Sequence, residues 1–333
     1  MTTREKGKWW PKVLWGALGL VVLLIAGGII FYFNRPLAVY RYFQARVMAD
    51  AGSQSRVATV NGTSYHYVEA GSGPTIMLVH GLGANKENWY SVFGALTKRY
   101  HVVAVDLLGF GQSKMQVNDY SLDHQASSLA ALIEKQGWAP AVLVGNSMGG
   151  WIACKVALQH PETVKALILV NSGGVVHPDA GVPNSLPPQE IFALLQPKNR
   201  RETKELLRRM MARHPNLPGY ILDDLQRTLA AENVRRTMFS VTANDFLDSR
   251  LPELKQPTLI LWGEKDQLAG LGYAEAFHRG VPGSTLEVLP GCGHTPQVEC
   301  PASFEKVVLR HLAAIFEAQS LLPNENIRVG TPR

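Results

Sequence analysis

The chain has 333 residues, of which 46% are hydrophobic and 18% are charged. This composition is that of a globular protein long enough to bury one large core, with room for an insertion. The formal net charge of +6 is modest, and no basic stretch interleaved with aromatic residues or other nucleic-acid-binding motif accompanies it, so no nucleic-acid partner is expected.

The N-terminal segment predicts a membrane anchor. Residues 1–12 form a basic flank, and residues 13–33 are an uncharged run rich in Leu, Val, Ile, Gly and Ala. A helix of this length spans about 30 Å, the thickness of the bilayer hydrocarbon. A cleaved signal peptide usually has a shorter apolar region and a small-residue cleavage site, and Asn34-Arg35-Pro36 is not such a site. A buried core helix would be less uniformly apolar, so we expect a retained single-pass anchor.

The basic residues beside this run bear on its orientation. Arg4, Lys6, Lys8 and Lys12 precede it, and Arg35, Arg41 and Arg46 follow it. The positive-inside rule therefore favours, by a narrow margin, a cytoplasmic N terminus and a folded domain on the non-cytoplasmic side, which is the periplasm in a bacterium. Residues 34–54 are interpreted as a juxtamembrane linker. A chain that starts near Arg46 is expected to stay soluble and active.

Beyond this linker, residues 55–172 and 251–317 alternate predicted strands with predicted helices. The segments 56–60 and 63–68 flank Asn61-Gly62, which indicates a β-hairpin. Further strands are predicted at 75–79, 102–105, 141–144, 166–170, 258–262 and 284–289, with helices at 89–98, 122–136 and 151–159. This alternation predicts an α/β fold with a mostly parallel central sheet and helices on both faces.

The strand at 75–79 is followed at once by His80-Gly81-Leu82-Gly83. A loop in this position can supply one of the two backbone N–H donors that stabilise an oxyanion, and the second comes from the residue after the nucleophile. We assign these donors to Leu82 and Met148. His80 is expected to hydrogen-bond the loop. The glycine-rich turn at 106–113 lacks the third glycine and the helix of a dinucleotide-binding motif, and neither a cofactor nor a metal is expected.

The hexapeptide Gly145-Asn146-Ser147-Met148-Gly149-Gly150 stands between a predicted strand and a predicted helix. That context is typical of a nucleophile elbow, in which a serine lies at the tip of a tight turn. Glycines are needed on both sides of the serine because a Cβ would collide across the turn. The helix start also points free N–H groups at negative charge that develops beside Ser147. The alternative is an ordinary glycine-rich turn, and the positions of a base and an acid decide between the two.

A serine nucleophile needs a base and an orienting acid, in the chain order Ser, Asp, His for this architecture. Asp266 follows the strand at 258–262, and His294 follows the strand at 284–289 through a glycine-rich turn. We therefore predict a catalytic triad of Ser147, Asp266 and His294. The competing acids are Glu264, Asp245 and Asp248. Asp266 is better placed than these three residues relative to the end of its predicted strand.

The three cysteines show neither Cys-x-x-Cys pairing nor the spacing of a metal site. Cys154 lies on the apolar helix after the elbow and is predicted to be a buried free thiol. Cys292 and Cys300 bracket His294, and the sequence leaves open whether they form a disulfide. The redox compartment is therefore also left open.

Residues 173–250 interrupt the alternation of strands and helices. Proline- and glycine-rich turns separate helices predicted at 188–195, 201–213, 219–230 and 234–243. We interpret this insertion as a helical cap over the serine, which would exclude water and shape the substrate pocket. The candidate lining residues are Phe192, Met210, Met211, Met238, Phe239 and Phe246. The alternative for each of them is packing within the cap itself.

One short stretch of the same insertion is basic. Its cations are Lys198, Arg200, Arg201, Lys204, Arg208, Arg209 and Arg213, against Glu202 and Glu205. A basic amphipathic helix near a membrane anchor can rest on anionic lipid headgroups. A solvated surface face is the alternative interpretation.

Together these features resemble the α/β-hydrolase superfamily, and within it the membrane-anchored lipases and monoacylglycerol lipases with one N-terminal transmembrane helix. The motifs that carry the resemblance are His80-Gly81-Leu82-Gly83, Asp106-Leu107-Leu108-Gly109-Phe110-Gly111, the elbow, Trp262-Gly263-Glu264-Lys265-Asp266 and Gly293-His294. They extend over residues 55–317. The resemblance implies hydrolysis of a lipid ester or another hydrophobic ester, such as a monoacylglycerol, through an acyl-enzyme on Ser147. The polar tail at 318–333 is predicted to be disordered, and the sequence indicates no oligomeric state.

Two other functions compete with ester hydrolysis. The elbow sequence also occurs in carbon–carbon bond hydrolases that act on ring-cleavage products, but these typically carry a His-Gly-Ser-Gly-Pro-Gly loop and a tryptophan after the catalytic histidine. Leu82, Ala84 and Thr295 stand at those places here and favour ester chemistry. A membrane-tethered binding protein on a hydrolase scaffold is the second alternative, and a complete triad argues against it. Ser147 itself argues against dehalogenases and epoxide hydrolases, which use an aspartate nucleophile.

Overall fold

The computed structural model describes residues 10–176, 186–214 and 216–320. Within these ranges the strands are β1 (Gln54–Val60), β2 (Thr63–Ala70), β3 (Thr75–Val79), β4 (His101–Val105), β5 (Ala141–Asn146), β6 (Val164–Val170), β7 (Thr258–Gly263) and β8 (Thr285–Leu289). The helices are α1 (Trp10–Asn34), α2 (Pro36–Asp50), α3 (Tyr90–Leu96), α4 (Leu122–Lys135), α5 (Met148–Gln159), α6 (Pro188–Leu194), α7 (Arg200–Met210), α8 (Gly219–Leu229), α9 (Glu232–Ser240), α10 (Leu271–Gly280), α11 (Pro296–Glu299) and α12 (Pro301–Ser320). Most of the predicted basic flank, and the predicted tail from residue 321, lie outside the described residues.

The strands form one sheet in the order β1-β2-β4-β3-β5-β6-β7-β8. β2 is antiparallel to both of its neighbours, and all other neighbouring strands run parallel. The predicted hairpin is present, since Asn61 and Gly62 join β1 to β2 with φ angles of 49° and 79°. Such positive φ angles are what a two-residue hairpin loop requires. The mostly parallel α/β fold expected from the sequence is therefore confirmed.

Helices cover both faces of the sheet. Successive side chains of a strand point to opposite faces, and along the central strands the side chains on both faces are apolar. In β3, Met77 and Val79 pack into one cluster, and Ile76 and Leu78 into the other. The first cluster includes side chains of α4, α5 and α10, and the second includes side chains of α3 and α12. The carboxyl ends of the parallel strands meet at one edge of the sheet, which is where ligands bind in folds of this kind.

Helix α1 has the length and composition of a membrane span. The stretch Lys12–Asn34 has a mean hydropathy of 2.6, and none of it is buried inside the protein. It agrees with the predicted apolar run at 13–33. By length and composition alone, this helix could cross a membrane.

Helix α2 occupies most of residues 34–54, the segment that is interpreted from the sequence as a juxtamembrane linker. Met48 is 1% exposed and packs into the core cluster that contains Trp89 and Phe93. The N–H of Leu37 donates to Oδ2 of Asp224 in α8 at 3.0 Å. The segment after α1 is therefore a docked helix that contacts both the core and the inserted helices.

Helices α6 to α9 lie between β6 and β7, where the sequence predicts a helical insertion. They begin within two residues of the predicted starts, but α7 and α9 each end three residues earlier than predicted. Helix α7 ends at Met210, and Met211 is extended, with φ of −105° and ψ of 136°. Residues 177–185 and residue 215 of this insertion lie outside the described residues.

Candidate active site

Ser147 lies between β5 and α5 with φ of 56° and ψ of −121°. A positive φ is uncommon for a residue other than glycine, and this strained backbone conformation is typical of a nucleophile elbow. A Cβ on Gly145 would collide with the carbonyl of Gly149, and a Cβ on Gly149 would collide with the carbonyl of Val79. The N–H of Ser147 donates to the carbonyl of Val170 at 3.0 Å. The strained turn is therefore held by the backbone of the adjacent strands.

Asp266 and His294 form a buried pair. Nδ1 of His294 lies 2.6 Å from Oδ2 of Asp266, and their side chains are 5% and 0% exposed. Burial alone would lower the pKa of His294, but the charge of Asp266 and its hydrogen bond raise this pKa above its ordinary value of 6.5. Because the carboxylate accepts a hydrogen bond from Nδ1–H, the neutral ring presents Nε2 as its acceptor.

Three further donors hold the carboxylate of Asp266. Its Oδ1 accepts the N–H groups of Leu268 at 2.9 Å and Ala269 at 3.0 Å. Its Oδ2 accepts the side-chain amide of Asn171 at 2.8 Å, while Oδ1 of Asn171 accepts the N–H of Gly263 at 3.1 Å. Sequence reasoning missed Asn171. The signal for it was a polar residue directly after β6, the strand that neighbours the one carrying Asp266.

Ser147 and His294 line the same cavity, which has a volume of about 200 Å³. Asn146 connects their two loops, because its Nδ2 donates to the carbonyl of His294 at 3.1 Å. Its Oδ1 accepts a hydrogen bond from Gln297 at 3.2 Å. Among the described side chains, no hydrogen bond joins Oγ of Ser147 to the His294 ring. Bonds of this kind are often long before substrate binds and tighten in the complex.

The loop after β3 lies beside Ser147. A Cβ added to Gly81 would be 3.1 Å from the Cβ of Ser147. The N–H of Met148 is the first of helix α5 and has no partner within the helix. Neither this N–H nor that of Leu82 donates a hydrogen bond to the described part of the chain. Both groups are therefore available to an incoming acceptor.

His80 and Asp106 hold the loop in place. Nδ1 of His80 donates to the carbonyl of Gly81 at 2.8 Å, since its Nε2 accepts the N–H of Leu107 at 3.1 Å. Burial lowers the pKa of His80 and keeps it neutral, in agreement with the loop-binding role predicted from the sequence. At the far end of the loop, Asp106 accepts both the N–H and the Nζ of Lys86, at 2.8 and 2.7 Å.

The competing acids take part in other interactions. Glu264 accepts the N–H of Gly291 at 3.0 Å and is 40% exposed. Asp245 pairs with Lys155 at 2.9 Å, and Asp248 accepts the N–H of Val176. Asp266 is the acid that the structure brings to His294.

The family model of the alpha/beta hydrolase fold matches residues 74–301. This range begins just before β3 and includes the elbow, Asp266 and His294. The chain belongs to the alpha/beta hydrolase fold family.

Relatives of this α/β-hydrolase include several lipases. The uncharacterized protein Rv2715 of Mycobacterium tuberculosis is 34% identical over 274 residues, which cover 76% of this chain and 80% of that protein. Monoacylglycerol lipase ABHD6 of Mus musculus is 27% identical over 322 residues, which cover 92% of this chain and 95% of the lipase. The crystal structure of a membrane phospholipase A, described as a bacterial virulence factor, has a TM-score of 0.74 and 31% identity, over 90% of this chain and 98% of that chain.

Two cavities meet at Ser147 in this α/β-hydrolase. The histidine-side cavity is the one of about 200 Å³ that also contains His294, and Leu206, Leu225 and Leu229 contribute to its apolar wall. The elbow-side cavity has about 80 Å³ and is lined by Ser147, Met148, Trp151, Phe192 and Met238, among others, but not by His294. Leu82 and Leu195 border both cavities.

The six candidate lining residues of the insertion fall into two groups. Met210 lines the histidine-side cavity, and Phe192 and Met238 line the elbow-side cavity. Met211, Phe239 and Phe246 line neither. Phe239 is 69% exposed because it lies one position beyond Met238, about 100° around the same helix. Phe246 packs against Trp151, with ring centroids 5.0 Å apart.

The end of α7 is bound to the loops that carry Asp266 and His294. The carbonyl of Met210 accepts the N–H of His294 at 2.6 Å, and the carbonyl of Arg209 accepts the N–H of Gln267 at 2.8 Å. Glu299 adds a side-chain link, since its Oε2 accepts the N–H of Ala212 at 2.8 Å. The insertion is thus attached directly to the candidate site.

A disulfide between Cys292 and Cys300 closes the loop that contains His294. The same loop contains Glu299, whose Oε1 accepts the N–H of Thr295 at 3.2 Å. Cys154 is a buried free thiol, as predicted. Its burial raises the pKa of the thiol, which keeps it protonated.

The basic stretch of the insertion is only partly neutralised. Arg200 forms two hydrogen bonds with Asp223 at 2.6 and 2.7 Å. Arg208 and Arg209 both bind Glu205, at 2.8 and 2.7 Å. Lys198, Arg201, Lys204 and Arg213 form no ion pair with a described residue.

Proposed function

We propose that this protein is a serine hydrolase that cleaves carboxylic esters of lipids, with Ser147, His294 and Asp266 as its catalytic triad. One observation carries the proposal. Ser147 lines the same cavity as a histidine whose other ring nitrogen is bound to a buried aspartate, and the insertion supplies an apolar wall to that cavity. A hydroxyl, a base and an orienting acid in this order are the components of nucleophilic acyl transfer.

The proposed reaction proceeds through an acyl-enzyme. Nε2 of His294 takes the proton of Ser147 as Oγ attacks the ester carbonyl carbon, and Asp266 stabilises the imidazolium. The N–H groups of Leu82 and Met148 donate to the oxyanion. The bond to the leaving alcohol then breaks, and His294 gives its proton to the alcohol oxygen. Water repeats the sequence on the acyl-enzyme and releases the acid.

We propose a lipid ester such as a monoacylglycerol as the substrate. Phe192, Met210 and Met238 give the two cavities apolar walls, and methionine adapts to acyl chains of varied shape. Because His294 protonates the leaving group, the histidine-side cavity would hold the alcohol and the elbow-side cavity the start of the acyl chain. Similarity to a monoacylglycerol lipase and to a membrane phospholipase A supports a lipid ester.

We further propose that α1 is a retained membrane anchor and that residues 173–250 act as a cap on the core formed by 55–172 and 251–317. The unpaired cations of α7 and its flanks would then contact anionic headgroups. The disulfide at Cys292 and Cys300 is typical of an oxidising compartment, which fits a domain on the non-cytoplasmic side of the membrane.

The fluorophosphonate reactivity and ester turnover of Ser147→Ala test this proposal. The wild-type protein should be labelled and should hydrolyse p-nitrophenyl esters and monoacylglycerols, and the variant should lose at least about 10³-fold in kcat without loss of folding. The exposed residue Ser127 provides the control, since Ser127→Ala should retain full activity. Turnover by Ser147→Ala would overturn the assignment. A wild-type protein that is neither labelled nor active would favour the tethered binding protein, and activity on ring-cleavage products alone would favour the carbon–carbon hydrolase.

A further inference from the structure

A polar cavity of about 380 Å³ lies next to the histidine-side cavity. It is formed where the end of α1 and helix α2 meet α8 and the loop after β3. The residues that define it here are Arg35, Arg41, Asp224, Arg227, Gly83 and Ala84, and we call it the arginine cavity. None of its arginines has a role in the proposed ester chemistry.

The arginine cavity carries excess positive charge. Three arginines face one carboxylate, Asp224, whose side chain is 6% exposed. This carboxylate is already engaged, since it accepts the N–H of Leu37 at 3.0 Å and an N–H of Arg227 at 3.1 Å. The guanidinium groups of Arg35 and Arg41 form no ion pair within the described ranges. Guanidinium donors gathered in a concave polar site favour an anion with several oxygen acceptors, such as a phosphate group.

Asp224 also gives the site a fixed framework. Arg227 donates to the carbonyl of Asn34 at 2.8 Å as well as to Asp224, so that it ties the end of α1 to α8. Leu37, bound to the same carboxylate, fixes the start of α2. Arg41 and Arg227 are therefore carried by helices that are joined to one another, and Arg35 stands at the junction of α1 and α2.

The arginine cavity and the candidate active site share lining residues. Gly83 and Ala84 border both the arginine cavity and the cavity that contains Ser147 and His294. Arg35 also follows directly after the candidate span Lys12–Asn34. If α1 crosses a bilayer, this cavity lies at the level of the lipid headgroups.

We propose that the arginine cavity binds the phosphate group of the substrate, so that the preferred ester is a phosphate-bearing glycerolipid. The inference rests on the proposed function, since it places the ester carbonyl at Ser147 and the phosphate between Arg35, Arg41 and Arg227. A neutral glycerol headgroup would leave the guanidinium groups of Arg35 and Arg41 without a charged acceptor. The phosphate lies on the alcohol side of the ester, next to the cavity assigned to the leaving group.

The test compares two lipids that differ only in the phosphate, 1-oleoylglycerol and 1-oleoylglycerol 3-phosphate, in neutral detergent micelles. The wild-type protein should favour the phosphate-bearing lipid in kcat/KM. Arg41→Gln and Arg35→Gln should each lower the ratio of the two kcat/KM values about five- to tenfold, as expected for loss of a charge-assisted hydrogen bond at a partly exposed site. Thermal unfolding of each variant confirms that it is folded.

Arg46→Gln is the matched control. Arg46 lies on the same helix as Arg41, but it is exposed, pairs with Asp50 at 3.0 Å and does not line the cavity. This substitution removes the same charge and should leave both kcat/KM values unchanged. An equal fall in the ratio for Arg46→Gln and Arg41→Gln would show a general attraction of the charged lipid to the basic surface and would overturn the proposal.

A second arm separates a lipid headgroup from free phosphate. Inorganic phosphate and glycerol 3-phosphate are titrated into hydrolysis of p-nitrophenyl butyrate. Inhibition that Arg41→Gln weakens, together with the altered lipid ratio, supports the headgroup site. Inhibition without any change in the lipid ratio identifies a site for free phosphate and overturns the substrate assignment. If the wild-type protein hydrolyses 1-oleoylglycerol but shows neither effect, this inference fails while the proposed ester hydrolysis stands.

Discussion

The sheet edge and the insertion form opposite walls of the same site and are held in different ways. On the sheet side, Asp266 and His294 are both buried, with 3% and 4% of the whole residue exposed. Buried hydrogen bonds fix both side chains. On the insertion side, the wall consists of apolar side chains, several of them partly exposed, and the ion pair of Arg208 with Glu205 on α7 lies at the surface. A buried polar network fails when one member is lost, whereas an apolar wall loses contact area gradually. Catalysis should therefore be sensitive to single substitutions on the sheet side, whereas substitutions in the insertion should change substrate selectivity by degrees.

Asp266→Asn is the largest expected disruption of the sheet side. An amide cannot hold His294 in the same tautomer or stabilise its charged form, so kcat should fall about 10⁴-fold. The matched control is Glu264→Gln, an exposed acid two residues away that should retain activity within about twofold. Esterase assays on the two variants decide the outcome, and equal losses would remove Asp266 from its proposed role.

The pH dependence of kcat/KM should also differ between the wild type and Asp266→Asn. His294 acts as a base only when neutral, and Asp266 raises its pKa, so the wild-type kcat/KM should fall on acidification with a midpoint above 6.5. Removal of the carboxylate charge lowers this pKa, and the acid limb of Asp266→Asn should therefore move to lower pH. An acid limb at the same pH in both proteins would contradict the assignment.

Truncation within helix α2 measures how much this helix contributes to the stability of the insertion side. A chain that begins at Arg35 keeps α2, whereas a chain that begins at Arg46 loses the N–H of Leu37 that binds buried Asp224, and also loses buried Gln44. Since an unsatisfied buried carboxylate oxygen costs about 1–3 kcal/mol, the shorter chain should unfold about 5 °C lower. Scanning calorimetry of both chains in one buffer measures the difference. Equal unfolding temperatures would restore the interpretation of residues 34–54 as a linker.

The smallest expected effect is a change of selectivity at the insertion wall. Phe192→Ala should enlarge the elbow-side cavity. The ratio of kcat/KM for long over short p-nitrophenyl esters should then rise about tenfold, because a change of this size in an apolar pocket typically alters the ratio of two substrates by about that factor. Phe239→Ala makes the same chemical change at a residue that is 69% exposed, and it should leave the preference unchanged. A preference that is identical in both variants would show that the acyl chain lies elsewhere.

The elements that sequence reasoning predicted well are those whose determinants are contiguous. Asn61-Gly62 specifies a hairpin by itself, and the glycines around Ser147 specify a tight turn, because both depend on local backbone conformation. Helix α2 was missed because its apolar residues do not mark its buried face, since Gln44 is buried while Tyr42 and Phe43 are exposed. Its contacts come from α3 and α8, which are far away in sequence.

The succession of strands, the elbow and the positions of an acid and a base after their strands can be recognised from the sequence alone, since each is specified by a short run of residues. The tertiary structure alone decided that Asn171 binds Asp266, that Cys292 pairs with Cys300 and that Arg41 shares a cavity with Arg227. These groups meet only in the folded chain: at one edge of the sheet for Asn171, within a closed loop for Cys292 and between packed helices for Arg41. Side-chain hydrogen bonds and charge clusters of this kind depend on packing between segments, which local sequence patterns do not encode.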